Sequence, residues 1–229
     1  GSVTFSGMGI TTQKLTSGGT ATLVARAGDL IVNDIAADGD LRLFAQGSIN
    51  GAGSSLSTGG SAALGLGGTG DILLGDLTSG GLLDQADASG NALGASGIAI
   101  GGSFAVSGRL EIGSGSGTLS ASSIQIGTLV ADTQTLTAAG GIQIGDADLS
   151  GLLQLRSPGA GGFARLTGIV NAGAIDIDAG SITSNALIAR TGDMLLRSIG
   201  DFAIADVQAA GDILIASSAG GLTIGNADA

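Results

Sequence analysis

The chain has 229 residues, with 45 glycines, one proline and no cysteine, histidine, tryptophan or tyrosine, and it carries a net charge of −11. Collagen is excluded because glycine keeps no three-residue period, and disulfides and thiolate or imidazole metal sites are excluded because their ligands are missing. A hydrophobic fraction of 43% is too high for a disordered linker, yet no apolar run reaches the roughly eighteen residues of a membrane-spanning helix. Eighteen Asp and Glu111 outweigh eight bases, a surplus that repels nucleic acid and anionic membrane, so neither is an expected partner.

From the start the chain alternates, through Val3 and Phe5. A phrase then recurs: glycine, Asp or a small residue, and an apolar–any–apolar triplet. It reads Gly28-Asp29-Leu30-Ile31-Val32, Gly39-Asp40-Leu41-Arg42-Leu43, Gly70-Asp71-Ile72-Leu73-Leu74 and Gly102-Ser103-Phe104-Ala105-Val106. Towards the end it returns at Gly192-Asp193-Met194, Gly200-Asp201-Phe202, Gly211-Asp212-Ile213 and Gly220-Gly221-Leu222, with shorter echoes at Ile124/Ile126, Ile142/Ile144 and Ile175/Ile177. Alternation over three to five residues marks short strands with one buried face. The inward set is expected to include Leu30, Val32, Leu41, Leu43, Ile142, Ile144, Ile213 and Ile215, closing with Leu222 and Ile224. The flanking Gly, Asp, Ser and Asn supply turns. No stretch keeps a helical stripe between caps.

Gly173, Gly192 and Gly211 lie nineteen apart, so the period is near twenty residues, divided into two visible halves. Short strands at that period fit an all-β, parallel β-helix (β-solenoid) as a single domain over 1–229. Aliphatic ladders would fill its bore, and about eleven coils would make a rod about 50 Å long. Two stretches depart from the pattern. Residues 78–97 predict either an extended loop or a short helical insertion around Leu82 to Ala86. Around Pro158 the alternation changes phase: either Ala164 and Leu166 turn inward and Arg165 outward, or a loop leaves the coil.

The stretches "GDLRLFAQGSIN", "AGAIDIDAGSITSNALIARTGDMLL" and "QAAGDILIASSAGGLTI" resemble the repeats of filamentous haemagglutinin-type exoproteins. Those are large bacterial adhesins exported by two-partner secretion and built as right-handed parallel β-helices. The resemblance covers most of the chain and implies a shaft region of a secreted or cell-surface protein, with an outer-membrane secretion partner for the full-length molecule. The start at Gly1-Ser2 rather than Met reads as a processed or excised piece, and the absence of cysteine fits export without oxidative folding. Both ends break off in alternating segments without a polar cap, so end-to-end self-association is expected.

The residues offer little chemistry, and neither catalytic, cofactor nor metal residues are assigned. Without histidine, triads built on it are impossible. Asp146/Asp148 and Asp176/Asp178 each place two acids on one strand face, with Arg190 and Arg197 nearby. Such a set could serve a β-helical polysaccharide lyase or glycosidase, but with neither Trp nor Tyr to stack a sugar it is read as solvated outward positions of strands whose inward positions are Ile175 and Ile177. Gly67-Gly68-Thr69-Gly70-Asp71-Ile72 approaches a calcium-binding nonapeptide with the acid one place early. Thr133, Thr135 and Thr137 form one threonine row of the kind ice-binding surfaces repeat. Asp193 and Asp212 should face each other in adjacent coils, splayed into water or bridged by a cation. The expected role is therefore structural rather than enzymatic, with a polysaccharide-active enzyme or a self-assembling filament subunit as the alternatives.

Overall fold

A computed structural model describes residues 1–113 and 115–229. The chain is an all-β parallel solenoid of about eleven coils with about twenty residues each. Among the described residues there is no helix, so none is long and apolar enough to cross a membrane. One ladder runs the whole length through Ile10, Leu30, Ile49, Ile72, Phe104, Ile124, Ile142, Ala164, Ile182, Phe202 and Leu222. A second runs through Leu15, Ile35, Leu56, Leu77, Leu110, Leu129, Ala147, Val170, Leu187, Val207 and Ala227. A third face begins at Val3, Ala21, Leu41, Ala62 and Leu83, and resumes at Ile98, Leu119, Leu136, Leu155, Ile177, Leu196 and Ile215. Each coil thus contributes to three ladders, although from Ile49–Thr58 onward the second and third share one strand, which is why the sequence shows two halves. In chain order within a coil, the Val3/Ile98 ladder is called the first face, the Ile10 ladder the second and the Leu15 ladder the third.

The bore is dry and aliphatic because every coil contributes alternate residues to it. Leu30, Val32, Leu41, Leu43, Ile142 and Ile144 are fully buried. Ile213, Ile215 and Ile224 are half-buried against the same core, and Leu222 is 53% exposed although it continues the Phe202 column. The difference is positional: a solenoid coil buries its inward residues between two neighbours, and the last described coil has only one. Ala164 and Leu166 are buried and Arg165 is exposed, so the phase change near Pro158 is a true inversion, with an exposed turn over 158–161 before it.

The corners explain the Gly-Asp phrase. Asp29 turns its main-chain carbonyl down to Ile10 N (3.3 Å), so the amide of Ser48 in the coil above finds no carbonyl there. The Asp29 carboxylate takes that N–H instead, at 2.8 Å. Asp71 repeats the arrangement, accepting Ile49 N on its carbonyl and Ser103 N on its carboxylate at 2.7 Å. Asp40 and Ser61 on one corner (3.1 Å), Asp76 and Arg109 on another (2.7 Å), and Asp193 and Asp212 (3.0 Å) follow suit. Where serine replaces Asp, its hydroxyl accepts in the same way, as Ser48 does from Asp71 N and Ser61 from Leu82 N. The repeated acid couples successive coils where the strand ladder lapses.

One coil is interrupted. Ile72 to Phe104 spans 32 residues instead of about twenty, and the surplus leaves the first face between Leu83–Gln85 and Gly97–Ala99. Leu83–Gln85 pairs with the coil below and Gly97–Ala99 with the coil above. Residues 86–96 form no helix. They are an extended flap closed by the Ala86–Ala92 bridge and an Asx turn in which Asp87 accepts Ser89 N and Asn91 N, both at 2.8 Å. Those bonds hold the Asp87 carboxyl below its ordinary value, the bond from the Asn91 amide contributing most. Asp84, almost wholly buried, ties the flap's return to the shaft by accepting Gly94 N and Ala95 N, each at 2.8 Å. The flap lies on the outer side of the first face. Gly90, at φ +80°, sits against the methyls of Thr22 and Val24, where a Cβ would come within 2.8 Å of both. Val24, Phe44 and Ala63 are consequently buried outside the bore, in a strip that solvent would otherwise cover.

Candidate functional site

The two acid pairs singled out in the sequence lie on different faces of the solenoid. Asp146 and Asp148 are on the third face, Asp176 and Asp178 on the first. Asp146 acts as another corner acceptor, taking Ile169 N at 2.9 Å. Asp148 pairs with Arg190 at 2.9 Å, and the same guanidinium donates to Leu149 O. These two border a cleft of about 280 Å³ that Glu111, Val130, Asp132 and Ser150 also line. Its other acids are already engaged: Glu111 is ion-paired with Arg109 (2.8 Å), and Asp132 accepts hydrogen bonds from Ser150 Oγ (2.8 Å) and Gly115 N (3.1 Å).

The most developed polar cluster stands on the outer side of the first face. Gln154 and Arg156 project from one strand directly below Asp176 and Asp178, and Arg197 projects from the strand above. Asp176 is the centre. Arg156 grips it with two nitrogens, one of them at 3.0 Å, Gln154 Nε2 donates at 3.1 Å and Arg197 Nη2 at 3.3 Å. Thr135 extends the chain of bonds one coil further by donating to Gln154 Oε1 at 3.3 Å. Burial alone would raise the Asp176 pKa, but the hydrogen bonds from Arg156 and Gln154, with the charges of Arg156 and Arg197, hold it below the ordinary carboxylate value. Its bond raises the Arg156 pKa in turn. A carboxylate held ionised in this way is a poor proton donor at neutral pH, which is the task a glycosidase acid must perform. The cluster can join three coils electrostatically, and its geometry suits that better than acid–base chemistry.

Arg190 and Arg197, seven residues apart in sequence, therefore serve separate sites. Arg156 and Gln154 were missed in the sequence, although their spacing of 22 residues from Asp178 and Asp176 was a readable signal. Asp71, in the calcium-like stretch, gives its carboxylate to Ser103 N. Among the described residues no three acidic groups gather as a metal site would require. Asp193 and Asp212 do lie in adjacent coils and both are exposed to water, and the Asp193 carboxylate receives the Asp212 main-chain N–H at 3.0 Å. Thr133 Oγ1 likewise accepts Leu152 N at 3.3 Å, so this threonine row is engaged in coil coupling. Comparison with family models, with curated proteins and with solved structures finds no match to this chain.

Proposed function

We propose that this chain is a stiff shaft segment of a secreted or cell-surface bacterial adhesin, of the filamentous haemagglutinin type, that holds a distal binding or toxic region away from the cell. The observation that carries this reading is the unbroken second-face ladder from Ile10 to Leu222, reinforced at its corners by carboxylates that bond the next coil. A rod of this kind lengthens by adding coils, because each coil needs only its two neighbours. An outer-membrane partner would export the full-length protein, and the role is mechanical rather than catalytic. Self-assembly is the second reading. Phe5 (48% exposed) and Leu222 leave inward-type residues uncovered in the two end coils, so the isolated chain should associate end to end in analytical ultracentrifugation.

The shaft reading is tested by removing whole coils. Deleting 124–141 joins Ser123 to Ile142, which occupies the position of Ile124 one coil on, and deleting 124–181 removes three coils in register. With the chain held between a membrane anchor and a peptide tag on bacterial cells, energy transfer from tag to membrane dye reports tag height. The height should fall by about 5 Å and about 15 Å respectively, one strand spacing per coil. A tag height indifferent to coil number, or a chain that releases unsaturated or reducing ends from polysaccharide, would turn the assignment away from a shaft.

A further inference from the structure

The outer side of the second face carries an unclaimed aromatic platform. Phe163 is 40% exposed and pairs with Gly141 in the coil below. A Cβ on Gly141 would lie closer than 3.0 Å to three consecutive ring carbons of Phe163, at nearly equal distances. Such distances arise only when the Cβ direction meets the face of a ring, since an approach to the edge would leave one carbon near and two far. The ring therefore lies flat on the sheet in the space that glycine vacates, one face against backbone and the other towards solvent. On the turn side it is bordered by the exposed residues 158–161. Two residues along the strand, about 7 Å away, stands Arg165, with Gln143 in the rung below and Gln125 below that. Among the described residues the side chains of Arg165, Gln143 and Gln125 have no hydrogen-bond or ion-pair partner, whereas five of the other arginines are ion-paired.

We propose that Phe163, Arg165 and Gln143 form a binding site for an acidic pyranose, a uronic acid in an oligosaccharide. The C–H face of a sugar ring packs on a flat aromatic surface, and the planar guanidinium offers two parallel N–H donors to a carboxylate. Gln143 supplies an acceptor and donors for hydroxyl groups on the same side. Lysine or a neutral residue at position 165 would lose the bidentate geometry or the charge. The acid is favoured over a neutral sugar because Arg165 has no carboxylate of its own. The acids around it are engaged elsewhere: Asp146, whose carboxylate lies at Gly168 three residues beyond Arg165, accepts Ile169 N at 2.9 Å, and Asp201, two coils above Phe163, accepts Gly221 N at 3.1 Å. The protein's overall negative charge opposes long anionic polymers, so a short ligand at 0.15 M salt, where charges beyond about 8 Å are screened, isolates the local site. The inference is independent of the shaft reading.

The test is calorimetric titration with trigalacturonate and with its fully methyl-esterified, neutral form. The parent should bind the acid about tenfold more tightly than the ester, the order expected of hydrogen bonds to a charged group. Arg165→Gln should close that gap, while Phe163→Ala should weaken both ligands about tenfold without moving the melting midpoint. Gly141→Ala keeps the Phe163 side chain but lifts its ring off the sheet, and should reproduce the Phe163→Ala loss. Equal affinity of the parent for acid and ester, no saturable binding of the acid, or full affinity in Phe163→Ala would overturn the proposal.

Discussion

Replacing Asp71 by alanine isolates what the recurring Gly-Asp contributes. The carboxylate accepts Ser103 N at 2.7 Å across the longest step in the ladder, where the flap has already interrupted the first face. A hydrogen bond to a charged group contributes about 1.5–3 kcal/mol, and because Asp71 is only half-buried, water can reach the freed N–H and the loss should sit near 1.5 kcal/mol. For a chain of this length that lowers Tm by about 3–6 °C. Asp71→Ser should recover about half, since Ser48 and Ser61 perform the same task at their own corners. Asp206→Ala serves as the control. That acid bonds only Gln208, two residues along its own strand, and its loss should cost less than about 0.5 kcal/mol. The assays are thermal melting by circular dichroism and hydrogen exchange at the Ser103 amide, which should lose protection selectively in Asp71→Ala. If Asp71→Ala melts with the parent and the Ser103 amide stays protected, the carboxylate is not what couples these coils.

Position along the rod should grade the cost of a core charge: Ile142→Asp, fully enclosed, should prevent the central coils from forming, whereas Ile213→Asp, half-buried, should cost a few kcal/mol and fray only the last coils, as residue-resolved hydrogen exchange would show. Asp176 ties part of the stability to pH. Its folded pKa lies below the ordinary 3.8, so its contribution is complete above that value and is lost as pH falls through the folded value. Asp176→Asn should therefore be less stable than the parent at pH 7, with the difference shrinking below pH 4 in acid melts. Phe44→Ala, beneath the flap, should cost about 3 kcal/mol and expose amide protons in 86–96 before those of the bore; simultaneous exchange of both would mean that the flap is not a separate layer.

The inward residues of Leu30–Ile31, Leu41–Ala45 and the Ile142/Ile144 pair were legible because alternation is local: on a strand, the side chain's face follows from its parity alone. The coil period was legible for the same reason, as the same corner needs the same turn residues each time round. Parity cannot say how many faces make a coil, and the third face, which often shares a strand with the second and whose other inward column holds Ala37, Thr58 and Ser79 beside the Ile35–Leu56–Leu77 ladder, did not announce itself. Nor can it say what lies across a coil. The depressed pKa of Asp176 depends on Arg156 and Arg197, about twenty residues away on either side, and the flat seat of Phe163 depends on a glycine in the coil below. Val24 and Phe44 look like ordinary outward residues until a flap contributed from residues 86–96 closes over them. Alternation along the chain decides which side chains leave water for the bore, whereas contacts between coils, which depend on register and on insertions of a few residues, decide which outward groups meet.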